Sequence, residues 1–91
     1  MSHTKHHPDK QQLRLQSKRI TNALKILNTV GIEIMTIDCT YAMPRIEVLH
    51  CAGVERLKAE NVGKGHTLLG SYTRKMAQVR GCQVEWNEWV N

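Results

Sequence analysis

The run KMAQVRGCQVEW, Lys75 to Trp86, decides the fold, because two apolar alternations meet inside it. Ala77 and Val79 share one side of an extended chain, Arg80 and Gly81 interrupt, and Cys82, Val84 and Trp86 resume the alternation one residue out of step. Successive strand side chains point to opposite faces, so keeping one face across that break requires an extra residue, as a β-bulge supplies. Gly81 suits such a site. The pattern predicts a strand from about Lys75 through Trp86, with Gln83 and Glu85 outward and Trp86 anchoring the core. Trp89 lies past the period and is the freer indole.

Working outward, Trp86 needs an apolar partner, and the first third of the chain offers a helix. Asp9 followed by Gln12 reads as an N-cap with its capping-box partner, and Gly31 suits the left-handed residue beyond a helix end. The helix is expected over Lys10 to Val30, with Ile32 folded back onto Leu27. At helical spacing Leu13, Ile20, Ala23, Leu24 and Leu27 converge on one face, with Val30 at its border. Two β-branched runs, GIEIMTID and RIEVLHC, are separated by CTYAMP and read as an antiparallel pair. Ile32 and Ile34 should face one way, Met35 and Ile37 the other, while Ile46 and Val48 share a face. Pro44 cannot donate to a ladder and fits a strand end or edge.

The segment AGVERLKAENVGKGHT predicts a short helix around Val54 and Leu57, then a glycine-loosened loop. From Leu68 to Val79 the spacing fits a helix (Leu68, Tyr72, Met76, Val79) as well as a strand, and the strand is taken from about Lys75. The expected fold is α+β in the order α-β-β-α-β: a long N-terminal helix packed on a small, three-stranded, mainly antiparallel sheet. Residues 1–8, with three histidines and no apolar side chain after Met1, read as an arm, and 9–91 as one domain.

Ninety-one residues, 41% of them apolar, suit a single small core that must be fully used. No apolar run is long enough to span a bilayer, and the polar start is unlike a secretion signal, so a cytoplasmic protein with no membrane partner is expected. Cys39, Cys51 and Cys82 are an odd set without close pairing and read as reduced, buried thiols. Thirteen Lys and Arg against eight Asp and Glu give a net charge of +5, which favours an anionic partner.

On the helix, Lys10, Arg14, Lys18 and Lys25 form a row about a third of a turn from the apolar stripe. Such a row suits phosphates or an acidic protein patch; its bland alternative is a solvated helix face. Leu15 and Ile26, with Arg19 between them, either widen the core or form a self-complementary patch for a homodimer. NVGKGHT fails P-loop spacing, since Gly65 follows Lys64 where Ser or Thr is needed. Cys39, His50, Cys51 and Cys82 lie near strand ends, but adjacent His50 and Cys51 point to opposite faces, so no metal or cofactor is expected. His66, Asp38 and Cys39 are the available catalytic side chains, and no spacing links them. No enzymatic activity is expected.

The basic, leucine-rich helix, then GIEIMTID, then PRIEV, then the close GCQVEW, resembles small uncharacterised accessory proteins of temperate phages and prophages of enteric bacteria. The resemblance runs over nearly the whole chain after Pro8, and its most specific part is the ending Gly81, Cys82, Val84, Glu85, Trp86. It implies a phage accessory protein, from a class rich in non-enzymatic inhibitors of host defence such as anti-CRISPR proteins. It brings no catalytic residues. The expected partner is a host protein or ribonucleoprotein complex met by the basic helix, and the alternative is a nucleic-acid-binding or regulatory module using the same row.

Overall fold

The computed structural model describes residues 10–90; the expected arm, the Asp9 cap and Asn91 lie outside the described residues. Helix α1 spans Lys10–Thr29, and its end is a Schellman motif. Gly31 has φ +76°, the Ile32 N–H donates to the Leu27 carbonyl at 2.9 Å and the Gly31 N–H to the Asn28 carbonyl at 3.1 Å. Buried Ile32 is thereby delivered against buried Leu27, as the sequence predicts.

The helix covers one face of a five-stranded mixed sheet. Strands β1 (Ile34–Asp38), β2 (Arg45–Val48), β3 (Glu60–Thr67), β4 (Gly70–Val79) and β5 (Cys82–Val90) lie in the order β1-β2-β5-β4-β3. All neighbours are antiparallel except β2 and β5, whose parallel register sets Ile46 beside Val84. The expected short helix is present as a 3₁₀ turn, Ala52–Arg56, with Val54 buried. The core joins Ala23 and Leu27 of α1 to Ile46, Val48, Ala77, Val79, Cys82, Val84 and Trp86 of the sheet.

The three-stranded expectation is corrected at one turn. Arg80 and Gly81 are not a bulge within a strand: φ is +49° and +83°, and Val79 pairs with Cys82, so they close a two-residue hairpin between β4 and β5. Reversal returns Cys82 to the face of Val79, because directly paired residues share a face. A bulge and a hairpin thus leave the same apolar trace. The glycine-loosened loop is likewise a strand, β3, and β4 begins at Gly70 instead of near Lys75.

Two smaller corrections follow from local bonding. A register shift between Ile34 and Thr36 turns Ile37 back to the face of its partner Ile46, where unbroken alternation predicts the opposite side. Leu13 is 48% exposed, and Gln16 is buried in its stead. The Gln16 amide donates from Nε2 to the carbonyls of Tyr41 and Ala42, at 3.0 and 3.3 Å, holding the helix onto the β1–β2 connection. Those two loop carbonyls need a donor, and an apolar side chain has none to give.

Candidate functional site

The two outer surfaces differ in charge. Five of the thirteen Lys and Arg side chains lie in α1, and none of the eight Asp and Glu does. Lys10, Arg14, Lys18 and Lys25 are all exposed, and no hydrogen bond or ion pair to another described residue joins their side-chain charges. Because Gln16, Ala23 and Leu27 set the buried line, Arg14, Lys18 and Lys25 sit about half a turn from it, farther than the expected third. The row therefore forms the outermost ridge of the molecule's helical side.

The opposite sheet face also carries charge, but neutralises it internally. Arg74 of β4 donates to both Glu47 carboxylate oxygens at 2.6 Å, to Glu85 at 3.1 Å and to the Asn87 side-chain oxygen at 2.9 Å. Glu47 holds the Arg74 guanidinium charged, raising its pKa further above its already high ordinary value against the opposing effect of burial. Arg45, stacked 4.0 Å over the Tyr41 ring, approaches Glu85 at 3.8 Å. Two carboxylates thus meet two guanidiniums, and the face presents little free charge. Its hollows measure about 190 and 340 Å³, at or below the lower end of small-molecule sites. A surface, not a cleft, is the candidate site.

The remaining sequence candidates are placed as follows. In the proposed dimer patch Leu15 is exposed, but Ile26 packs against the core and Arg19 lies along Gly81, leaving Leu15 as its outward apolar member. Asp38 accepts from the Thr40 N–H and hydroxyl on edge strand β1, whereas His66 meets Ser71 Oγ at 2.8 Å on the opposite edge strand β3. Four strand spacings, roughly 19 Å, separate those edges, so the two do not form one site. Among the described residues the cysteines do not gather with a histidine; instead His50, Glu55 and Glu88 bring one potential ligand atom each within 4.8 Å of one another. The Lys75 ammonium already lies 3.3 Å from Glu88 there. Cys82 is buried, while Cys39 and Cys51 are half-buried, all as free thiols.

Sequence reasoning missed Gln16 and the Arg74 cluster. The cluster depends on the β2–β5–β4 register, which no local spacing encodes. Gly65 opposite Tyr72 was more accessible: SYT is a β-prone triplet, and a strand-paired glycine often lies beneath an aromatic ring.

Fold and surface together define a small α+β domain: a cationic helix on one side of a mixed sheet whose other side pairs its charges internally. The chain belongs to the Kil protein family, matched over residues 13–87, a family associated with phages. The match takes in most of α1 and all five strands up to Asn87. No curated protein and no solved structure matches the chain.

Proposed function

We propose that this protein is a non-enzymatic, phage-encoded inhibitor that acts on the host by binding an acidic surface of the cell-division machinery through the outer ridge of α1. Kil is known as an inhibitor of host cell division, which directs the expectation of a host-directed inhibitor to division rather than to host defence. Neither an anti-CRISPR-like action nor nucleic-acid binding has support in the family relationship.

The observation that carries the choice of surface is the segregation of charge: α1 has five cations and no carboxylate, and its exposed row lacks described partners. A cationic ridge steers association with an acidic protein patch, and reversing its sign opposes that association. Expression in a bacterial host should block septation and yield filaments with the wild-type chain. Arg14→Glu with Lys18→Glu should leave the melting temperature within a few degrees and abolish filamentation. Filamentation that survives this double reversal removes the ridge from the mechanism. A salt titration against duplex DNA tests the nucleic-acid alternative, because phosphate binding would weaken steeply as salt rises.

A further inference from the structure

The β3–β4 hairpin ends in Thr67-Leu68-Leu69-Gly70, and Leu68 and Leu69 are 107% and 88% exposed. Two adjacent leucines at a turn tip are wasted burial in so small a protein, unless the tip has an apolar environment to enter. The turn is prepared for one. The Leu69 N–H donates to Thr67 Oγ1 at 3.0 Å and the Thr67 hydroxyl donates to the Gly70 carbonyl at 3.4 Å, so polar groups at the tip are bonded to one another. Internal satisfaction matters little in water and a great deal in hydrocarbon.

Behind the tip the side chains change in order. Tyr72 lies over Gly65 and meets Trp89 edge-on, with ring centroids 5.1 Å apart, and Trp89 is 43% exposed. At about 3.4 Å per residue this aromatic pair sits roughly 10 Å behind Leu69, near the headgroup level when a tip enters the acyl boundary. Further back Lys64 is exposed and free of ion pairs among the described residues, whereas Arg74 and Lys75 are held by Glu47 of β2 and by Glu85 and Glu88 of β5. Apolar tip, amphipathic rings and then the free Lys64 ammonium, on a chain of net charge +5, match the layers of an anionic bilayer surface. A protein partner fits less well, since a two-residue knob is far smaller than the roughly 800 Å² per side of a stable interface.

We propose that the β3–β4 hairpin docks this protein on an anionic lipid surface by shallow insertion of Leu68 and Leu69, independently of the helix ridge. The attachment is peripheral: no helix of the described residues is long and apolar enough to cross a membrane. It departs from the expectation, drawn from the sequence, that no membrane is a partner. Co-sedimentation at low salt with vesicles of phosphatidylglycerol and phosphatidylethanolamine should capture the wild-type chain, and phosphatidylcholine vesicles should capture much less. Binding should shift the indole emission to the blue, and Trp89→Phe should remove that shift, because Trp86 is already buried. Leu68→Ser with Leu69→Ser should keep the far-UV spectrum and melting temperature yet weaken vesicle binding at least about tenfold. Wild-type chain that ignores anionic vesicles overturns the proposal, as does a double-serine variant that binds them undiminished. So does a variant that loses a host protein while the wild type shows no lipid binding.

Discussion

Cys82 shows how one residue's surroundings set its chemistry. It opens β5 fully buried, and Arg19 lies close above the adjoining Gly81. Burial pushes the thiol's pKa up, and the Arg19 charge opposes this only in part. A raised folded-state value means the native state keeps its proton where the unfolded chain begins to lose one. The corresponding stability is therefore full below the unfolded thiol pKa, about 8.5, and is lost as pH climbs toward the higher folded value. Urea midpoints taken from pH 7 to pH 10 should show the wild type's advantage over Cys82→Ala narrowing across that window. Curves that stay parallel would mean the thiol does not titrate differently on folding. Gln16 makes a related point: its amide is buried in α1 because two loop carbonyls need it, and no helix-period count can anticipate a demand that arises in another part of the chain.

Among elements, the Arg80–Gly81 turn holds the largest correctable conflict between residue and geometry. A two-residue hairpin with both φ positive is the mirror-image turn that favours Asn-Gly, and a non-glycine residue such as arginine is disfavoured there by about 1 kcal/mol. Arg80→Asn should stabilise the domain by about 0.5 kcal/mol, a rise of roughly 2–4 °C in melting temperature. A lower melting temperature would show that the Arg80 side chain contributes more than its backbone strain removes. This turn also explains what the sequence does and does not reveal. Helix α1, its glycine stop, the β1–β2 pair and the short turn at Val54 are written in periodicity and in local capping chemistry, and were legible. Strand β3 exposes nearly every side chain on both faces, so it has no apolar alternation to read. The β2–β5 pairing joins Ile46 to Val84 across the intervening chain, and it leaves no local mark. The cationic ridge was visible because helical spacing alone defines it. The Arg74 cluster and the leucine tip were not, since each exists only once strands are paired.

For the whole molecule, the consequence is a lopsided distribution of stability. One helix covers one sheet face, while the β3–β4 hairpin and the end of β5 extend where the helix does not reach; no other helix of three turns or more shares the load among the described residues. Eleven apolar side chains make up the buried cluster, and Trp86 is the largest of them. At roughly 0.05–0.15 kcal/mol per residue a chain of this length has about 5–14 kcal/mol of total stability. Truncating a buried tryptophan costs about 3–5 kcal/mol, partly in transfer and partly in the cavity it leaves. One offset exists: the Trp86 Nε1 is buried without a hydrogen-bond partner, so removing the indole also removes an unsatisfied donor. The net loss should still take a large share of the total, lowering the melting temperature by about 15 °C or more. Trp89→Ala, which removes a half-exposed ring edge-on to Tyr72, should lower it by only a few degrees. Thermal unfolding of the two single variants measures the contrast directly. Equal losses would mean that the hairpin end is as much a part of the cooperative core as the helix-covered centre, and that its exposed leucines sit on a rigid support instead of a separable arm.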